Sequence, residues 1–130
     1  MERYSKQRQA IKENLINRYD HPTADEIYND VRLILPNISL GTVYRNLSML
    51  VEKGEILKLA TDGGPDRFDG DIKPHFHFYC RSCDRVMDIK TSKVVDMDAI
   101  MDDTELPGKV DNYKIEFYGR CQDCLNVEAK

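Results

Sequence analysis

Four cysteines are the residues most able to do chemistry here. They occur as Cys80-Arg-Ser-Cys83 and Cys121-Gln-Asp-Cys124. Two-residue spacing lets both thiolates of a pair turn toward one ion, and two such turns supply four soft sulfurs at tetrahedral corners, which suits Zn²⁺. The competing readings are two disulfides, free thiols or a redox pair. A thioredoxin-like role is disfavoured because neither pair is expected at a strand-to-helix entry. With all four thiolates engaged, no coordination position stays open, so the zinc is expected to be structural.

The three histidines are the second group. His75 and His77 alternate on an expected strand and leave the same face, close to the first cysteine pair. His21, Asp69 and Asp88 have ordinary readings singly: a helix-start residue, a turn residue and a solvated strand residue. Spacing alone does not join His21 to the others.

The rest of the chain must position these groups. It has 130 residues, 41% hydrophobic and 32% charged, enough for one ordinary domain or two very small ones. No apolar run approaches the roughly 20 residues of a membrane span, and Met1-Glu2-Arg3-Tyr4-Ser5-Lys6 lacks a signal peptide's apolar stretch. A cytoplasmic location is therefore expected, where disulfides are disfavoured. The net charge of −4 argues at first against nucleic acid. It is uneven, however. Residues 1–60 carry nine Lys/Arg against eight Asp/Glu, and residues 61–130 ten against fifteen. A local basic face on the first half remains compatible with DNA.

That first half reads as three helices. Ser5 to about Tyr19 aligns Ile11, Leu15 and Ile16, with Ala10 beside them. Thr23-Ala-Asp-Glu26 is a capping box, followed by Ile27, Tyr28, Val31 and Ile34. Ser39 caps the third helix, with Leu40, Val43, Leu47, Leu50 and Val51 inward and Gly54 past its end. Strands over Glu55–Ala60 and Arg67–Asp69 flank the turn Asp62-Gly63-Gly64-Pro65. Three helices and a hairpin form the winged helix-turn-helix pattern. Residues 71–74 read as a hinge. Strands at His75–Tyr79, Val86–Thr91 and Lys114–Tyr118, and a helix within Val94–Asp103, then give a small α+β unit, marginal without zinc and a partner subunit.

The motifs HPTADEIY (21–28), SLGTVYRNLSML (39–50), RFDG (67–70), PHFHFYCRSC (74–83) and YGRCQDC (118–124) resemble the ferric uptake regulator family over nearly the whole chain. The resemblance implies an α+β fold: a winged-helix DNA-binding domain (1–70), the hinge, and an α/β dimerisation domain (75–130) with a four-cysteine zinc site. It also implies a regulatory metal between the domains, held at His21, Asp69, His75, His77 and Asp88. Three imidazoles and two carboxylates make a mixed N/O set that suits Fe²⁺ or Mn²⁺. Peroxide-sensing members typically have Asp at both carboxylate positions, where iron sensors more often have Glu. The resemblance thus implies a repressor in which iron and peroxide oxidise His21 or His75 and DNA is released. An iron or other metal uptake regulator is the alternative, and a metalloenzyme a more distant one. Five protein ligands leave little room for substrate, and no nucleophile–base pair or phosphate loop is evident.

Pro74 and Phe76 stand where many iron sensors carry further ligands. Arg45, in contrast, matches the iron-sensing pattern better than the Asn of some peroxide sensors. Most members also carry an extra helix before the position of Tyr4. For DNA, Thr42, Tyr44, Arg45 and Asn46 are expected on the outer face of the third helix, with Arg able to read guanine and Asn adenine. Lys6, Arg8 and Lys58 are candidate phosphate contacts. The expected partners are a second copy, as a homodimer, and a palindromic double-stranded operator.

Overall fold

The computed structural model describes residues 2–73, 75–91, 96–102, 105–111 and 113–128, with side chains described from Lys6 onward. The expected helix at 94–103 is described only at 96–102, and Pro74 of the expected hinge lies outside the described residues.

Helix α1 (Glu2–Leu15) buries Ile11 and Leu15 and half-buries Ala10. It starts earlier and stops earlier than its pattern predicts. The stop comes where Asn17 turns left-handed at φ 68°, a conformation Asn tolerates better than most residues. Ile16 therefore leaves the stripe and is exposed.

Helix α2 (Ala24–Val31) is capped as expected. Thr23 Oγ1 accepts from the Glu26 amide at 3.2 Å, and its hydroxyl faces Glu26 Oε1 at the same distance. Ala24, Ile27 and Val31 face the core. Ile34 does not. Beyond Val31 the chain tightens into i→i−3 bonds, Leu33 N–H to Asp30 and Ile34 N–H to Val31, which rotate Ile34 to 72% exposure. Ile38 fills the core instead.

Helix α3 (Leu40–Glu52) begins at Ser39, whose Oγ accepts from Thr42 N at 3.1 Å. Val43, Leu47 and Leu50 are buried, whereas Leu40 lies at the exposed edge of the first turn. Gly54 closes the helix at φ 72°. Its N–H reaches Val51 O and the Glu55 N–H reaches Leu50 O, the paired bonds of a Schellman end, for which glycine has no steric penalty.

Strands β1 (Leu57–Leu59) and β2 (Arg67–Asp69) pair antiparallel, Leu57 opposite Asp69. Phe68 points back into the helical core with Ile56. Gly70 then passes hard against the end of α1, where a Cβ would stand 2.8 Å from the Leu15 carbonyl oxygen. No other residue fits that approach without displacing the backbone.

In the second half, β3 (Phe76–Cys80) pairs antiparallel with β4 (Val86–Ile89) and parallel with β5 (Phe117–Gly119), in the order β4-β3-β5. A short α4 (Met97–Asp102) precedes β5, and α5 (Gln122–Glu128) follows it. Helix α5 has no counterpart in the sequence expectation, since its only strong signal is the cysteine pair. Leu57 and Leu59 of the hairpin join Tyr79 and Val86 in a second small core. The hairpin thus packs against both halves.

Candidate metal centres

The first constellation is assembled by four separate pieces of chain. His21 sits in the turn before α2, at φ 48° and 1% exposed. That turn is pinned on both sides. Arg18 grips the Asp20 carboxylate at 2.9 and 2.6 Å and reaches Asp30 at 2.8 Å. On the other side, the Phe68 N–H donates to Pro22 O at 2.9 Å. Asp69 ends β2, distant in sequence but buried beside it. His77 on β3 lies directly across from Asp88 on β4 in the antiparallel register.

These groups converge. His21 Nε2 is 2.9 Å from Asp88 Oδ1, and His77 Nε2 is 2.9 Å from Asp69 Oδ2. His75 Nε2 stands 3.0 Å from Asp69 Oδ2 and 3.2 Å from Asp88 Oδ1, at the more open rim. His21, Asp69, His77 and Asp88 each offer a ligand atom within 4.8 Å of all the others.

The surroundings keep the Asp69 carboxylate ionised. Burial alone would push the Asp69 carboxyl up. Hydrogen bonds from His77 and from the Asp71 amide outweigh it, helped by His21 and His75, and hold it below the usual carboxylate range. Burial likewise opposes charge on His75, but the Lys73 carbonyl, Asp69 and Asp88 raise its pKa. His75 Nδ1 is 2.6 Å from Lys73 O, so its other nitrogen faces two carboxylates. His21 Nδ1 is buried without a hydrogen-bond partner. Two carboxylates and the imidazoles of His21 and His77 around one point, with an orphaned buried nitrogen on His21, fit a divalent ion of N/O preference, while the expected ligand His75 stands beside this group at the rim and outside the set of four.

The second constellation is the four cysteines, all reduced. Cys80 Sγ lies 3.7 Å from Cys124 Sγ, and Cys83 Sγ 3.8 Å from Cys121 Sγ. A tetrahedron with metal–sulfur bonds of about 2.3 Å has edges of about 3.8 Å, so the spacing fits Zn²⁺. The amides of Cys83 and Cys121 both donate to Cys80 Sγ, at 3.4 and 3.3 Å. Burial opposes the Cys80 thiolate, yet these amides and that of Ser82 outweigh it and pull the thiol down to about 6. Contrary to the sequence expectation, Cys121, between β5 and α5, and Cys124, in the first turn of α5, do sit at a strand-to-helix entry. What speaks against a redox pair is the gathering of all four sulfurs in one cluster. Arg85, which carries no sequence signal, donates Nε to Cys83 Sγ at 3.2 Å and Nη2 to Cys121 Sγ at 3.1 Å.

The expected DNA-facing residues divide. Tyr44 and Arg45 are exposed on α3, and Arg45 Nη2 donates to Thr42 Oγ1 at 3.0 Å, holding the half-buried Thr42 beside it. Lys6 and Lys58 are exposed. Arg8 is half-buried, its guanidinium 3.6 Å from Met49 Sδ on α3. Asn46 is a correction. It is 4% exposed, and its amide donates to Thr42 O at 2.9 Å. It follows Val43 by three positions and so shares the buried face rather than the outer one.

Comparison with known proteins agrees with this architecture. The ferric uptake regulator family model matches residues 2–118. The peroxide operon regulator of Bacillus subtilis is 35% identical over 127 residues, covering 97% of this chain and 86% of the relative. The peroxide-responsive repressor PerR of Staphylococcus aureus is 34% identical over 125 residues, covering 94% and 82%. Among solved structures, the Campylobacter jejuni peroxide stress regulator superposes with a TM-score of 0.74 at 26% identity, over 94% of this chain and 91% of that one. The Helicobacter pylori ferric uptake regulator gives 0.76 at 22% identity, over 92% and 80%. The chain belongs to the ferric uptake regulator family, whose members are metal-responsive transcriptional regulators. Among the described residues, no helix is long and apolar enough to cross a membrane.

Proposed function

We propose that this protein is a metal-dependent, DNA-binding transcriptional repressor that senses hydrogen peroxide. Residues 1–70 act as a winged-helix DNA-binding domain, 71–74 as a hinge and 75–130 as a dimerisation domain. The protein works as a cytoplasmic homodimer on a palindromic operator. Cys80, Cys83, Cys121 and Cys124 hold structural Zn²⁺, and His21, Asp69, His75, His77 and Asp88 hold regulatory Fe²⁺ or Mn²⁺.

The observation that carries this reading is the convergence of His21 and Asp69, from the helical half, with His75, His77 and Asp88, from the sheet. Ligands drawn from both halves tie ion binding to their relative orientation, and hence to the spacing of two α3 helices in a dimer. Within this chain, Asp69 and Asp88 orient the imidazoles, the antiparallel register fixes His77 against Asp88, and burial of His21 keeps water from that side. Bound Fe²⁺ would supply the reactivity toward peroxide that adds oxygen to His21 or His75, which Mn²⁺ lacks. The paired Asp and the similarity to two peroxide-responsive regulators support this branch over an iron uptake regulator. Arg45 and Tyr44, with Thr42, supply base and backbone contacts, and Lys6, Arg8 and Lys58 meet phosphates.

The test is to load the zinc protein with Fe²⁺ or Mn²⁺, add peroxide, and map oxidation by mass spectrometry. One added oxygen on His21 or His75 with iron, and none with manganese, is expected. Equal oxidation with both ions, or none with iron, sinks the peroxide reading and leaves the uptake regulator.

A further inference from the structure

We propose that Arg67 is a positioning residue that latches the His21 turn to the zinc-bearing turn, so that the two metal centres share one strut. The proposal rests on the regulatory-site reading above. Arg67 lies on β2, two residues before Asp69. Its Nη1 donates to the carbonyl of His21 at 3.1 Å, and its Nε donates to the carbonyl of Asp84 at 3.1 Å. Glu26 Oε1 stands 3.8 Å from Nη1. The side chain is only 15% exposed.

Both acceptors are backbone atoms at left-handed residues. His21 has φ 48° and Asp84 φ 62°, conformations that cost energy for residues with a Cβ and need outside support. Each left-handed turn aims its carbonyl at the one guanidinium between them. From Asp84 the path is short. The next residue, Arg85, bonds Cys83 and Cys121 sulfurs, and the Asp84 N–H returns to Cys80 O at 2.9 Å. A continuous run of bonded groups thus leads from the sulfur cluster to His21. It crosses from the helical half to the sheet half at Arg67. The planar fork of Arg reaches two separate carbonyls at fixed angles, which a Lys ammonium cannot reproduce. Groups that orient a metal ligand typically change metal affinity roughly 10–100-fold when lost.

The test uses the full-length zinc-loaded protein and the variants Arg67→Ala and Arg67→Lys. Hydrogen–deuterium exchange without added metal is expected to rise in both variants at residues 16–23 and 81–86 together, while β1–β2 pairing and zinc content are retained. Mn²⁺ titration calorimetry is expected to show one site of affinity weakened about tenfold. Faster exchange confined to the β1–β2 hairpin, or Mn²⁺ affinity unchanged in Arg67→Ala while the separate variant His77→Ala loses binding, overturns the latch. If His77→Ala leaves Mn²⁺ binding intact in the wild-type background, the regulatory-site reading fails instead. The exchange data then decide the latch alone.

Discussion

His21 Nε2 meets Asp88 Oδ1 at 2.9 Å although the two residues are 67 positions apart. The first comes from a turn between helices and the second from the middle of a strand. Neither could be paired with the other by spacing, and both are needed to close the site between the two halves.

The length of the Asp88 side chain is therefore a sensitive point. In Asp88→Glu, the extra methylene displaces the carboxylate from its place opposite His77 without removing its charge. Manganese-dependent operator binding in a gel-shift assay should persist. Loss of that binding on adding peroxide to the iron form should be blunted several-fold. Unimpaired peroxide sensitivity would show that Asp at this position is not what sets the response.

Zinc loss should act at a distance. Cys124→Ser removes one of four sulfurs and frees α5 from β3. Zinc content measured by elemental mass spectrometry should fall below one per chain. The dimer should weaken in analytical ultracentrifugation, and operator binding should fall with it, because zinc binding energy is folding energy for such sites. A zinc-poor variant that stays dimeric and binds its operator normally would contradict this.

On α3, neighbouring residues should behave oppositely. Arg45→Ala should reduce operator affinity by about 1–3 kcal/mol with little change in melting temperature, as expected for a base-reading arginine. Asn46→Ala deletes a buried amide bonded to Thr42 O. It should lower stability by about 1 kcal/mol and leave operator affinity per folded molecule nearly unchanged. Paired thermal melts and fluorescence anisotropy would separate the two.

Thr23→Ala should cost about 1 kcal/mol by removing the cap of α2. Because Thr23 is two residues from His21, Mn²⁺ affinity should fall modestly as well. A thermal shift without any change in affinity would mean that the cap and the His21 turn are independent.

Much of this arrangement is legible in the sequence, and the failures have physical causes. The caps at Thr23 and Ser39 and the stop at Gly54 are local, so they read correctly. Ile16, Ile34 and Leu40 follow helical spacing but fall where the helix has ended or is just beginning, and periodicity carries no information about that. The chemistry of Asn46 suggests an outward place, although its position relative to Val43 turns it inward. Helix α5 is short and polar, with Cys124 as its main anchor. The cysteine cluster needs only spacing. The His/Asp site can be gathered only through family resemblance, since its members meet by tertiary packing. Arg67 opens the RFDG motif but nothing in the motif tells its contacts, and Arg85 belongs to no motif, because what they bind are backbone carbonyls and sulfurs brought near by folding.

The parallel pairing of β5 with β3 has a consequence for how the protein is made. Everything that surrounds His21 and Asp69, including β4, is synthesised well before Cys121 and Cys124. The helical core, complete by Phe68, can form before the second cysteine pair is available. The four-sulfur site can close only on chains translated into α5, which carries Cys124. A prematurely terminated copy would keep its operator-facing helices and its His/Asp ligands but lack the closing sulfurs. Closure of the sulfur cluster thus depends on residues past β5, whereas the helical core does not.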